Sequence, residues 1–162
     1  MDDPRHGEIR LGFEPGVREH DGTVVFIGRL ATPWKNRAEC PKNMAAARAL
    51  GEPASIAISE PYRPGLAGIE RFSHVIVLTW LDRARRDLIV QNPRHAGEPR
   101  GVFALRSPVR PNPVGLHVVR LVSLDLELGL LTIDAIDTLD GTPVLDVKPY
   151  FATNDSIPDA TG

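Results

Sequence analysis

The chain has 162 residues, 42% of them hydrophobic and 25% charged, with a net charge of −2. That length suits one domain with a real core, and the slightly acidic balance argues against a general nucleic-acid coat protein. A single cysteine, Cys40, excludes an intrachain disulfide framework and fits a reducing, cytoplasmic setting.

The first ten residues, MDDPRHGEIR, lack the apolar core of a secretory signal. No apolar run approaches the length of a membrane span. Residues 1–20 read as a loosely attached polar arm with a short strand at Glu8–Phe13, leaving 21–162 as a single domain. TVVFIGRL, residues 23–30, is rich in β-branched and aromatic residues and predicts a first strand. ATPWKNRAECPK follows as an irregular segment. NMAAARAL, residues 43–50, predicts a short helix capped by Asn43 and stopped by Gly51. SIAIS at 55–59 predicts a strand, and GLAGIERF holds at most two helical turns. HVIVLTWL at 74–81 is a continuous apolar run, as in a strand buried on both faces, and 82–90 reads as a short helix or loop.

The strongest strand signal is late. From Leu116 to Leu128, six of the seven even positions are apolar and the odd ones mostly polar, a period of two. After Gly129 the phase moves to Leu131, Ile133 and Ala135, which predicts a hairpin near Glu127–Gly129. LDGTPVLDVKPY then turns at Asp140–Gly141 and extends again. Strands outnumber helices without alternating with them, and no G-x-G-x-x-G joins a strand to a helix. The expected fold is therefore mainly β (α+β): a small antiparallel β-barrel-like domain with short helices and long loops, outside the Rossmann class.

Three segments hold more chemistry than packing needs: residues 31–43, 101–117 and 139–150. In GVFALRSPVRPNPVG, prolines stiffen an irregular path that carries Arg106, Arg110 and Asn112. In DGTP, Asp140 closing a turn and Gly141 supplying a positive φ is the simpler reading taken alone. Seven arginines against Asp82, Asp87 and Glu98 give residues 82–110 four excess positive charges. Such a patch suits a phosphate backbone, and equally a solvated face balanced by nearby acids. Histidine and cysteine spacings give no metal motif, and neither a P-loop nor a nucleophile elbow is present.

GVFALRSPVRPNPVGL and LDGTPVLDVKPY together resemble the TrmO (YaeB-like) family of S-adenosylmethionine-dependent tRNA methyltransferases. IGRLATPWKNRAECPK is similar to that family's N-terminal motif, and IERFSHVIVLTWL to its central strand. The likeness covers residues 24–159. It implies a small β-barrel-like fold and a homodimer with S-adenosylmethionine near the subunit boundary. It also implies methylation of the amino nitrogen of a threonylcarbamoyl-adenosine beside a tRNA anticodon, with no metal and no membrane involved. Carried onto this sequence, it implies cofactor contacts at Lys42, Asn43 and Met44, at Asp82 and Arg83, and at Arg106 and Ser107. Leu116, His117 and the turn Asp140, Gly141, Thr142 and Pro143 complete that set. Arg85, Arg86, Arg110 and Asn112 are the expected RNA contacts. Asp146 and Tyr150 are the candidate acceptors for the proton that the amino nitrogen must lose. The family commonly has Pro-Arg-Gln where this chain has Pro41-Lys42-Asn43, and some members have His-Gln at Asp82-Arg83. Two other readings stay open: the same cofactor with a different RNA or small-molecule acceptor, and a non-catalytic module that holds RNA or the cofactor.

Overall fold

The computed structural model describes residues 4–17, 22–93 and 97–161. Its elements in chain order are β1 (Ile9–Arg10), β2 (Gly28–Ala31), α1 (Met44–Leu50), β3 (Ala54–Ile58), β4 (His74–Trp80), β5 (Leu88–Gln91), β6 (Arg100–Gly101), β7 (Val114–Asp125), β8 (Leu130–Ile133), β9 (Pro143–Pro149) and α2 (Ala152–Asp155). The chain divides into two compact units, Met1–Val24 with Leu81–Gly115, and Val25–Trp80 with Leu116–Gly162.

The larger unit is a closed barrel in the order β2-β3-β8-β7-β4-β9, so the expected small antiparallel β-barrel is what forms. Closure leaves no unpaired edge. One face of each strand fills the interior: Leu30, Ile56, Ile58, Val75, Val77, Val119, Leu131, Ile133 and Val144 form one cluster. β4 alternates between buried and half-buried positions and is not buried on both faces, because its second face lies on the outside of the barrel. Residues Glu60–Leu66 and Ile69–Arg71 are 3-10 turns, and Leu66 and Ile69 join the core from them. Pro64 within the first turn removes a donor that an α-helix would need. Gly28 sits where a Cβ would overlap the carbonyl oxygen of Ala57, so the β2–β3 pairing requires glycine.

The expected first strand is shorter than 23–30. Only Gly28–Ala31 forms a ladder, because Val24, Val25 and Phe26 expose their side chains and have no packed surface to reward extension. The α1 helix forms as expected, with Asn43 Oδ1 accepting from Ala46 N at 2.8 Å and Gly51 at φ 69° closing it. The β7–β8 hairpin turns at Gly129, φ 66°, with a bulge between Leu121 and Ser123.

The largest departure is the face of β7. Its even positions were the apolar set, yet Leu116 is 49% exposed and Val122 is exposed with it, while Gly115, His117 and Val119 are buried. Alternation reports a strand's period and leaves open which face turns inward.

The smaller unit holds a three-stranded sheet in the order β1-β5-β6. β1 pairs antiparallel with β5, Ile9 opposite Val90, and Leu11 N donates to Asp87 O at 2.7 Å. Residues 8–11 of the expected arm thus join this sheet. Glu8 adds to this by accepting from Arg5 N at 2.9 Å and Asn92 N at 3.2 Å. Burial raises the Glu8 carboxyl's pKa, but the bonds from Arg5 and Asn92 outweigh it and the net shift is downward. Residues 82–90, expected as a helix or loop, turn and then enter β5.

Candidate functional site

Within the barrel unit, the first and third motif segments are stitched together by side chains. Asp140 Oδ1 accepts from Thr32 N at 2.9 Å, and its Oδ2 lies 2.8 Å from Lys35 Nζ. Trp34 Nε1 donates to Ile136 O at 2.9 Å, and Thr32 Oγ1 to Thr138 O at 3.0 Å. Thr142 Oγ1 donates to Leu139 O at 2.7 Å, and Arg29 Nη1 to Gly141 O at 2.8 Å. Gly141 takes φ 77°, which a side chain would oppose. Asp140, Gly141 and Thr142 therefore spend these polar groups on shaping the rim, and Thr142 and Pro143 are buried. Asn43 spends its side-chain oxygen on the helix cap. Lys42 is exposed, and Met44 packs partly against the core.

Leu116 and His117 are neighbours on one strand, so their side chains leave opposite faces. Leu116 faces outward, whereas the His117 imidazole points into the barrel and is 7% exposed. Its Nδ1 lies 3.0 Å from Asp137 Oδ1, and its Nε2 lies 3.1 Å from Thr79 Oγ1 and 3.4 Å from Thr138 Oγ1. The Asp137 side chain is 19% exposed, so it links this dry cluster to the surface. The motifs did not single out Asp137. The available signal was an odd-numbered histidine on β7, beside Gly115 and Val119: an imidazole turned inward demands a buried partner. Burial pushes the Cys40 thiol up, and the Asp137 charge adds to that effect against Arg37.

Asp146 lies on β9 opposite Leu78. Its Oδ2 is 2.7 Å from Lys148 Nζ and its Oδ1 accepts from Val147 N at 2.9 Å. Tyr150 packs its ring beside His74, with centroids 6.5 Å apart. Four residues of extended chain separate the two by about 13 Å.

In the smaller unit, Arg85 donates from Nε and Nη2 to both oxygens of Asp87, each at 2.8 Å. Arg86 Nε donates to Pro111 O at 2.6 Å, with Nη2 3.4 Å from Asn112 Oδ1. Arg110 Nη1 donates to Leu105 O at 2.9 Å and Ser107 O at 3.3 Å, and Ser107 Oγ accepts from Val109 N at 3.3 Å. Arg110 from within the proline-rich loop and Arg86 from outside it thus hold that loop's carbonyls. Asp82, Arg83 and Arg106 are exposed. Arg94 lies outside the described residues.

Fold and site together define a small antiparallel β-barrel protein whose polar rim is built from side-chain-stitched loops, not a doubly wound nucleotide-binding one. The tRNA-methyltransferase O N-terminal domain matches residues 29–156, and the chain belongs to that family. An S-adenosyl-L-methionine-binding protein of Archaeoglobus fulgidus is 41% identical over 131 residues, covering 81% of this chain and 91% of that one. A tRNA (adenine(37)-N6)-methyltransferase of Escherichia coli is 37% identical over 144 residues, covering 83% and 60%. The crystal structure of TrmO from Pseudomonas aeruginosa superposes with a TM-score of 0.71 at 31% identity, covering 88% and 62%. The chain thus spans about three fifths of the length of the last two relatives.

Proposed function

We propose that the chain is an S-adenosylmethionine-dependent tRNA methyltransferase. Its acceptor is the amino nitrogen of an adenosine beside the anticodon, carried as threonylcarbamoyl-adenosine. The observation that carries the reading is the family match over residues 29–156, supported by the named activity of the Escherichia coli relative. A tRNA substrate implies action in the cytoplasm.

The residues of the barrel rim fit the cofactor's chemistry. Asp137 offers a partly exposed carboxylate to a cationic or hydroxyl group, Lys42 offers an exposed ammonium to a carboxylate, and Met44 an apolar contact. When bound, S-adenosylmethionine supplies an activated methyl group together with its leaving group. What remains for the protein is binding, alignment and exclusion of water, and alignment alone is worth several kcal/mol (about 7–11 at its limit). The stitching of residues 32–35 to 136–142 orders the rim in advance, so less entropy is lost on binding. The accepting nitrogen must give up a proton. Asp146 and Tyr150 are too far apart to serve one proton together, and the carboxylate of Asp146 is the better acceptor of the two.

On the smaller unit, exposed Arg83 and Arg106 meet phosphate, while Arg86, Arg110 and Asn112 act indirectly by holding the proline-rich loop in shape, and Arg85 by holding Asp87. We further propose a homodimer with the cofactor near the subunit boundary. The exposed apolar side chains of Leu116 and Val122 on the barrel's outside support it. Light scattering at micromolar concentration should give twice the 17.7 kDa chain mass. The decisive test is incubation of purified protein with S-adenosylmethionine and tRNA, followed by nucleoside mass spectrometry. A modified adenosine heavier by one methyl group is expected. Cofactor binding without any methylated nucleoside would leave the protein a binding module.

A further inference from the structure

The interior of a barrel is a costly place for an imidazole. A valine at position 117 would continue the packing of Val119, which is fully buried on the same face of β7. The ring that stands there instead is held at both nitrogens. Thr79 and Thr138, which face Nε2, are themselves buried. A neutral imidazole has one N–H and one acceptor nitrogen, and an ionised carboxylate only accepts. Asp137 Oδ1 at 3.0 Å therefore fixes the proton on Nδ1, and Nε2 accepts from the nearer hydroxyl, that of Thr79. The polar chain Thr79–His117–Asp137 runs from a dry interior to a carboxylate at the rim. Among the described residues, no hydrogen-bond partner falls on Asp137 Oδ2.

The surroundings of Asp137 give that oxygen a fixed direction. The carbonyl before it, on Ile136, accepts from Trp34, and the carbonyl after it, on Thr138, accepts from Thr32. Backbone on both sides is pinned by the first motif segment, and the side chain is pinned by His117 from the second. Two of the three motif segments, 31–43 and 101–117, thus converge on one carboxylate, of which one oxygen is used internally and the other is left for a ligand.

Resting on the methyltransferase reading above, we propose that His117 is a positioning residue. Through its Nδ1–H it holds the Asp137 carboxylate oriented at the rim, and it acts on the bound cofactor only through Asp137. Asparagine at 117 places an amide N–H near the position of Nδ1, whereas valine removes both bonds.

Two measurements test this. Imidazole nitrogen NMR on the ligand-free protein should show His117 as the Nδ1–H tautomer, with the Nε2–H form gaining population in Asp137→Asn. An Nε2–H imidazole in the unaltered protein would overturn the proposal whatever the protein binds. Calorimetric titration with S-adenosylmethionine should then show His117→Val binding roughly tenfold more weakly, about 1.4 kcal/mol, and His117→Asn recovering most of the loss. In the Asp137→Asn background, His117→Val should cost little more, since the two residues act as one. Equal losses in both backgrounds, or unchanged affinity in a folded His117→Val variant, would overturn the proposal. Should His117→Val fail to fold, the tautomer decides. Absence of S-adenosylmethionine binding by the unaltered protein would instead defeat the functional reading on which the proposal rests.

Discussion

Replacing Arg85 with alanine separates two roles that its position in a basic patch leaves confounded. Asp87 is 3% exposed, and both of its oxygens accept from Arg85 at 2.8 Å. Arg10 Nε lies 2.8 Å from Oδ2 as a second cation. Breaking a buried ion pair by removing one partner costs about 3–5 kcal/mol, because a charge is left uncompensated in low dielectric. Arg10 stays in place, and both arginines are partly solvated, so we expect about 2 kcal/mol at pH 7. The Arg85 hydrogen bonds hold the Asp87 carboxyl below its usual range. Burial opposes them, and the Asp87 backbone bond and the charges of Arg85 and Arg10 add to them. A depressed carboxyl pKa contributes stability that is fully present above the unfolded value of about 3.9 and is lost as pH falls through the folded value. The gap between Arg85→Ala and the parent should therefore be full at pH 7 and shrink below about pH 4. Urea denaturation of both proteins across pH 3–7 measures it. A gap that is constant with pH, or under about 0.5 kcal/mol at pH 7, would refute the structural role and return Arg85 to the RNA-facing set.

Gly28→Ala should lower stability by about 2 kcal/mol or more, since the new methyl meets a backbone oxygen that cannot move without breaking the β2–β3 pairing; thermal unfolding reads it. Asp140→Ala should cost about 1 kcal/mol and weaken cofactor binding, because Thr32 N loses its acceptor. Lys35→Ala should be nearly neutral, as the lysine side chain is 66% exposed. Equal effects of the two substitutions on the melting temperature would contradict this ranking. Cys40 should react with iodoacetamide at pH 7.5 more slowly than a free cysteine, because burial and the neighbouring Asp137 disfavour its thiolate. Intact-mass kinetics follow the reaction, and a rate above that of free cysteine would be inconsistent with the shift.

Local features were legible in the residues because their causes are local. Asn43 and Gly51 bound α1 through hydrogen bonds and a φ that lie within one turn of it. The turns at Gly129 and Gly141 follow from the freedom of glycine at positive φ. The strand period of residues 116–128 and the absence of a Rossmann pattern pointed to a barrel, and a barrel formed. β5 escaped notice because it is only four residues long and its partners are two-residue strands, β6 nearby and β1 nearly eighty positions away, too short to leave an alternating pattern.

By itself the sequence determined most of the barrel's strands, the turns at Gly129 and Gly141, and that a proline-stiffened loop carries arginines. The tertiary structure decided what those side chains do. Arg85, Arg86 and Arg110 look alike in a string of letters, yet each is consumed by an acceptor that only folding brings within 3 Å. The same holds for β7. Barrel closure turned its less apolar face inward, where Val119 packs and His117 finds Thr79 and Asp137, residues 38 and 20 positions away. Alternation gives a strand two chemically distinct faces, but which one is dry depends on where its neighbours lie, and those neighbours come from distant parts of the chain.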